Sequence, residues 1–172
     1  VRAFAALGRR HHVAVIEDAA HCVEGRSAGA KVGSTADFTC FSFYASKNLT
    51  SAEGGALDTD DPELAAFARS YRVHGMDADA WARYRPGATA GYDVIEPGIK
   101  ANLPDLLAVL ARSQLARFDA TQARRREILT RYRATLQLAG LRFVPGEPHP
   151  GSADHLAVVL LPEGTDRAAI VS

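Results

Sequence analysis

The chain has 172 residues, with 20 basic and 20 acidic side chains and a formal charge of zero at neutral pH. This length allows one ordinary globular domain with a real core, and a composition of 47% hydrophobic and 23% charged residues is typical of a folded protein. Because the chain has no basic excess, we expect no binding to nucleic acid or to anionic membranes.

Four segments of the first sixty residues have the pattern of regular elements: a helix at 3–10 and strands at 13–16, 37–44 and 54–59. The apolar run at 13–16 continues into Glu17 and Asp18. This pattern is typical of a parallel strand that is buried on both faces and delivers a polar group to the carboxyl edge of its sheet, where α/β proteins place their sites. A Gly-containing stretch at 25–34 connects the first two strands, and the third strand returns after a turn.

The rest of the chain predicts further helices and a second α/β unit. Acidic capping residues and a first-turn proline at 60–63 predict a helix that ends near Val73. Segment 77–98 is rich in glycine, proline and aromatic residues and predicts an ordered but irregular excursion. Apolar residues then recur at three- and four-residue steps over 104–139, which predicts one long helix, straight or kinked. The last elements are two strands, at 141–144 and 155–161, and the start of a helix at 165–170.

Four polar residues follow the first strand or fall near the end of the second: Asp18, His21, Ser42 and Lys47. On one sheet edge they could converge on a single ligand. A carboxylate, a hydroxyl and a primary amine together suit pyridoxal 5′-phosphate (PLP), because a lysine forms a Schiff base with its aldehyde and an acid pairs with its pyridinium nitrogen. Taken singly, each residue also has an ordinary interpretation: a turn former or helix cap for Asp18, a small strand residue for Ser42, and surface side chains for His21 and Lys47.

The lysines are few enough to be informative. Arginine supplies 17 of the 20 basic residues, and the three lysines are Lys31, Lys47 and Lys100. Each is therefore a candidate for a task that needs a primary amine. The two cysteines, Cys22 and Cys40, fit no metal or redox spacing, and we expect no metal site and a reducing, cytoplasmic setting.

Five sequence blocks carry the most specific pattern: EDAAH at 17–21, FSFYASKNLT at 41–50, EGG at 53–55, HGM at 74–76 and GIKANLPD at 98–105. Together they resemble the DegT/DnrJ/EryC1/StrS aminotransferases, which are fold-type I PLP enzymes that usually aminate keto sugars carried on nucleotides. The resemblance covers nearly the whole chain. Two departures, Ala52 in place of a frequent glycine and Ala101 in place of a common aromatic residue, remove no group that the chemistry requires.

The resemblance implies roles for the residues that hold the ring of the cofactor. Lys47 would form the Schiff base and later move protons between substrate and cofactor. Asp18 would bind the ring nitrogen, Ala20 would be small so that the ring lies against the strand end, and His21 would lie beside the ring. Lys100 and His155 also match polar positions of the family, as substrate-facing or as structural residues.

Two further residues are assigned by resemblance to the phosphate of the cofactor. Ser42 would bind it within one subunit, and Asn102 would reach the phosphate of a neighbouring subunit. Such a shared site implies a homodimer. The function implied is transfer of an amino group from a donor such as glutamate to a nucleotide-linked keto sugar.

The resemblance also implies the fold and its division into domains. We expect an α/β fold in which 1–103 form part of a PLP-binding large domain with a mostly parallel sheet. A connecting helix at 104–139 then leads to the start of a small α/β domain at 140–172. The chain begins with valine, its one methionine is Met76, and family members are longer. We therefore expect a piece of a longer enzyme, truncated at both ends and inactive alone.

Two alternatives remain at this stage. A sugar dehydratase of the same family would use the same cofactor, but in that branch a histidine replaces the Schiff-base lysine, which Lys47 disfavours. The other alternative is a non-catalytic α/β domain with a binding or regulatory role, in which the polar strand-end residues are coincidental.

Overall fold

The elements of the chain alternate between helices and short strands. The computed structural model describes residues 1–77, 86–87 and 91–171. In chain order the elements are α1 (Arg2–His11), β1 (Ile16–Asp18), β2 (Arg26–Ser27), β3 (Ala30–Lys31), β4 (Phe38–Ser42), β5 (Gly55–Asp58), α2 (Pro62–Tyr71), α3 (Asp105–Leu115), α4 (Phe118–Leu138), β6 (Arg142–Val144), β7 (Val158–Leu160) and α5 (Arg167–Val171). The α/β class predicted from the sequence is confirmed.

The central sheet has the strand order β1-β4-β5. Strands β1 and β4 are parallel, with Asp18 opposite Cys40, and β4 and β5 are antiparallel, with Ser42 opposite Gly55. The parallel first pair and the returning third strand are as predicted. Strand β4 contributes Thr39, which is fully buried. The stretch at 25–34 additionally contains the small β2–β3 hairpin, which its glycine content did not predict.

The first strand differs from its prediction in position and in burial. It begins at Ile16, three residues later than the apolar run, because His12 adopts a left-handed conformation and Val13 still bonds the carbonyl of Gly8 in α1. The expected burial on both faces is wrong for this chain, since Val13 and Ile16 are 61% and 66% exposed.

Helix α2 follows its sequence signals closely. The Asp61 carboxylate accepts hydrogen bonds from the backbone N–H groups of Glu63 and Leu64, at 2.8 and 3.1 Å, and Pro62 occupies the first turn. The helix ends at Tyr71, two residues before the predicted end. Gly75, with φ of +70°, then carries the chain toward the predicted irregular segment. Most of 78–90 in that segment lies outside the described residues.

The single long helix predicted over 104–139 is wrong in detail, because the structure has two helices. Helix α3 ends at Leu115 and α4 begins at Phe118. Between them Arg117 leaves the helical region, with φ of −117° and ψ of 11°, and its N–H bonds the carbonyl of Gln114, three residues back, at 3.2 Å. The break is only two residues long, so the apolar spacing continues across it and the sequence pattern does not reveal it.

The C-terminal strands form a separate antiparallel pair. Val144 of β6 lies opposite Val158 of β7, and the strand predicted at 155–161 is shortened to three residues. The pair is attached to α4 by Arg133, whose guanidinium lies 4.7 Å from the ring centroid of the buried Phe143. The Asp166 carboxylate accepts from the N–H of Ala168 at the start of α5, as the capping signal predicts. Among the helices that the structure describes, none combines the length and apolarity needed to cross a membrane.

Candidate active site

The site lies at the carboxyl edge of β1 and β4. Because the two strands are parallel with Asp18 opposite Cys40, Asp18 and Ser42 reach the same edge. The N–H of Ala19 donates to the carbonyl of Cys40 at 2.9 Å, which continues the pairing just past the end of β1. The parallel register therefore brings two of the four predicted residues, Asp18 and Ser42, to one edge of the sheet.

Asp18 presents an exposed carboxylate at this edge. Its Oδ1 accepts a hydrogen bond from the N–H of Ala20 at 3.0 Å, which fixes the carboxylate against the chain that leaves the strand. Neither of the two ion pairs found in the described residues involves Asp18. A carboxylate with this much unused acceptor capacity fits a cationic ring N–H as its partner.

Ser42 and Lys47 approach the same edge from β4. The Ser42 hydroxyl oxygen accepts from the N–H of Tyr44 at 3.3 Å, so its own proton is free to donate to an anion. The backbone N–H of Lys47 donates to the carbonyl of Tyr44 at 2.9 Å, in the turn that follows the strand. The next two residues, Asn48 and Leu49, are buried and anchor this turn.

The three lysines of the chain lie in different environments. Lys31 is exposed in the β2–β3 hairpin, and Lys100 is exposed at an isolated bridge to Val73. Lys47 is half-buried, and it follows the strand that carries Ser42. Burial and position thus distinguish Lys47 from the other two lysines as the amine of a site at this edge.

His21 and His155 bring the C-terminal segment to the edge. Their ring centroids are 4.5 Å apart at an interplanar angle of 56°. His155 Nδ1 lies 2.9 Å from Oδ1 of Asn48, the residue that follows Lys47 in the sequence. Burial lowers the pKa of His155, and the positive charges of His21, Lys47 and Arg125 lower it further. The sequence leaves two roles open for His155, a substrate-facing one and a structural one. The structure shows His155 in contact with His21, at the edge that carries Asp18.

A buried group of hydrogen-bonding residues, here called the polar joint, connects this edge to α4 and to the C-terminal segment. It consists of Glu24, Asn48, Gln122 and the carbonyl of Ala153. Asn48 Nδ2 donates to Glu24 Oε1 at 2.6 Å and to the Ala153 carbonyl at 2.7 Å. Gln122 Nε2 donates to the same two acceptors, the Ala153 carbonyl at 2.9 Å. Burial raises the pKa of the Glu24 carboxyl despite the opposing hydrogen bond from Asn48.

Sequence reasoning missed the polar joint. Glu24 and Gln122 belong to no motif. Asn48 lies in the FSFYASKNLT block, which assigns it no role of its own. The one usable signal was the position of Asn48 directly after Lys47.

Asn102 lies in a cleft that also contains Gly55, the residue opposite Ser42 in the sheet. The cleft has a volume of about 210 Å³ and is also lined by Glu53, Gly54 and Leu103, near the start of β5. Gly54 has a φ of +138°, a backbone conformation that L side chains rarely adopt, so glycine is favoured at this position. In the described part of the chain, no hydrogen bond or ion pair joins Asn102 to Asp18, His21 or Lys47.

Known proteins are similar to this chain in sequence or in fold. The spore coat polysaccharide biosynthesis protein SpsC of Bacillus subtilis (strain 168) is 46% identical over 135 residues, which are 78% of this chain and 35% of SpsC. Spr1654 of Streptococcus pneumoniae, assigned as a sugar aminotransferase and solved in a PMP form, matches with a TM-score of 0.75 and 31% identity over 88% of this chain and 39% of its own. Helicobacter pylori PseC, an aminotransferase involved in the biosynthesis of pseudoaminic acid, matches with a TM-score of 0.78 and 26% identity over 92% of this chain and 41% of its own.

The sequence family agrees with these matches. The chain spans between a third and about two fifths of the length of these relatives. The model of the DegT/DnrJ/EryC1/StrS aminotransferase family matches residues 1–172, and the predicted resemblance and the fold-type I interpretation are both confirmed. The chain belongs to the DegT/DnrJ/EryC1/StrS aminotransferase family.

Proposed function

We propose that the whole protein to which this chain belongs is a PLP-dependent aminotransferase that delivers an amino group to a keto sugar. The observation that carries the proposal is the half-buried Lys47 beside the strand edge where Asp18 has no cationic partner among the described residues. Amine and carboxylate are the two groups that a pyridoxal ring needs from a protein. The structural relative Spr1654 has also been solved in a PLP form, which supports the choice of cofactor.

The residues of the edge fit the cofactor group by group. The Asp18 carboxylate would accept the N–H of the protonated ring nitrogen, and the Ser42 hydroxyl would donate to the phosphate. Ala20 follows Asp18 with a side chain too small to obstruct a flat ring. His21 lies beside Asp18 on the loop that leaves β1, and its ring is exposed. When bound, the cofactor supplies an aldehyde that condenses with primary amines and a ring that withdraws electrons from the substrate carbon.

Lys47 has the task of moving a proton. Its amine would take a proton from the amino-bearing carbon of the donor and return one to the carbon of the acceptor sugar, as a positioned general base and then acid. The buried Asn48 and Leu49 hold the turn that carries it, so the amine would stay in place after it releases the cofactor. Asp18 would stabilise the positive charge of a protonated ring nitrogen.

The substrates and the assembly are proposed in finer detail. Glutamate is the proposed donor and a nucleotide-linked keto sugar the proposed acceptor, in line with the polysaccharide and pseudoaminic acid biosynthesis of SpsC and PseC. We propose a homodimer in which Asn102 serves the phosphate of the other subunit. The free state of both cysteines supports a cytoplasmic location.

Titration of the whole protein with PLP, followed by absorbance, tests the proposal. We expect a pyridoxal-type band that saturates, and addition of glutamate should convert it to the amine form of the cofactor. Asp18→Asn should weaken the band and slow the conversion, whereas Asp60→Asn, an exposed carboxylate before α2, should change neither. A wild-type protein that shows no band at saturating PLP would exclude the proposed function.

A further inference from the structure

The amide of Asn48 has only one possible orientation in its surroundings. The residue is 8% exposed, and its Nδ2 lies 2.6 Å from Glu24 Oε1 and 2.7 Å from the Ala153 carbonyl oxygen. A carbonyl oxygen can only accept. Glu24 Oε1 also accepts from Gln122 Nε2, so it acts as an acceptor for two amides. Both neighbours therefore require N–H donors, and the amide must turn its oxygen the other way.

The orientation of Asn48 decides which nitrogen of His155 carries a proton. Asn48 Oδ1 lies 2.9 Å from His155 Nδ1 and has no hydrogen to give. A hydrogen bond at this distance therefore requires a proton on Nδ1. In the neutral ring Nε2 is then the lone-pair nitrogen, which accepts and does not donate.

The neighbours of His155 keep the ring uncharged. The His21 ring lies against it at a tilt of 56°, and the groups that act on it electrostatically come from three separate elements: His21 after β1, Lys47 in the turn after β4 and Arg125 on α4. Together with burial they lower its pKa, so the neutral form predominates at neutral pH. The bond to Asn48 then selects between the two neutral tautomers.

We propose that Asn48 is a positioning residue that fixes His155 as the neutral Nδ1–H tautomer. Nε2 of His155 is then a proton acceptor at the edge that carries His21 and Lys47. The consequence for catalysis rests on the proposed function. There the Lys47 amine must alternate between charged and free forms, and a neutral acceptor ring opposes neither form, whereas an imidazolium would disfavour the ammonium of Lys47.

The chain offers a matched control for Asn48. Gln122 is also buried, at 4% exposure, and donates to the same two acceptors, but among the described residues no hydrogen bond joins it to His155. Removing either amide weakens the polar joint in the same way. Only the removal of Asn48 takes away the oxygen that selects the tautomer.

Nitrogen-15 NMR of the protein labelled at histidine tests the proposal without any cofactor. The two tautomers have distinct imidazole nitrogen shifts, and the signals of His155 are identified by their loss in His155→Gln. At a pH of about 8 we expect the Nδ1–H form to exceed the Nε2–H form by about tenfold or more, because the alternative would set a lone pair against the buried Asn48 oxygen. Asn48→Ala should reduce this ratio several-fold, and Gln122→Ala should preserve it.

Three outcomes would overturn the proposal: a wild-type His155 in the Nε2–H form, an unchanged ratio in Asn48→Ala, or an equal loss in Gln122→Ala. The wild-type spectrum decides the assignment even where a variant fails to fold. Since this readout needs no PLP, a protein that shows the Nδ1–H tautomer but no pyridoxal band would support the proposal and reject the proposed function separately.

Discussion

We expect a strong energetic coupling between the side-chain amides of Asn48 and Gln122. The two amides do not hydrogen-bond each other, but they donate to the same two acceptors. Glu24 Oε1 and the Ala153 carbonyl each receive one donor from Asn48 and one from Gln122. A single substitution therefore leaves both acceptors with a partner. Substitution of both residues leaves the part-buried Glu24 carboxylate and the buried Ala153 carbonyl without a side-chain amide donor.

The magnitudes follow from these bonds. Asn48→Ala removes three hydrogen bonds, which at about 1 kcal/mol each is a loss of about 3 kcal/mol. Gln122→Met removes two, but it also removes Gln122 Oε1, which is buried without a partner, so the net loss should be about 1 kcal/mol or less. The double variant should lose about 2 kcal/mol or more beyond the sum, since each acceptor left unpaired costs about 1–3 kcal/mol.

Urea unfolding of the wild type, both single variants and the double variant completes a double-mutant cycle. The same cycle between Asn48→Ala and Asp61→Ala, the cap of α2, is the control and should be additive, because these residues share no partner. If the Asn48 and Gln122 effects were additive to within about 0.5 kcal/mol, the shared-acceptor description of the polar joint would be wrong.

Two further predictions concern a titrating group and a backbone position. Because the folded-state pKa of His155 lies below its ordinary value of 6.5, its contribution to stability is present above that pH and is lost as the pH falls from 6.5 to the lowered value. His155→Gln should therefore flatten the fall in unfolding free energy over this window, and an unchanged slope would contradict the assignment. Gly75→Ala should destabilise the chain by more than Gly164→Ala. Both glycines have positive φ, at +70° and +80°, but of the two only Gly75 would bring its new Cβ against another atom, the Glu96 carbonyl oxygen. Equal losses in the two urea-unfolding curves would contradict the close approach at Gly75.

Sequence reasoning succeeded for residues whose placement follows from local pattern and one rule of topology. Asp18 and Ser42 stand at the ends of two apolar runs, and two parallel strands bring such ends to one edge. The rarity of lysine then drew attention to Lys47. The start of α2 was equally readable, because its cap and proline lie next to the residues they affect.

Sequence reasoning failed where the decisive contact joins distant parts of the chain. Asn48 meets His155 across 107 residues, and Gln122 meets Glu24 across 98. No spacing rule connects such positions, because their proximity depends on how α4 and the C-terminal segment pack against the sheet. The burial expected for the run at 13–16 failed for a related reason, since burial depends on what covers a strand and not on its composition.

We propose that Lys47 is the amine that binds the cofactor, and this chain has three lysines among which to choose. The direct measurement is borohydride reduction of the PLP-incubated protein, followed by peptide mass spectrometry of the modified lysines. We predict one pyridoxyl group per chain on Lys47, no comparable labelling of the exposed Lys31 and Lys100, and loss of the label in Lys47→Arg. Label on Lys31 or Lys100 with Lys47 unmodified would contradict the account.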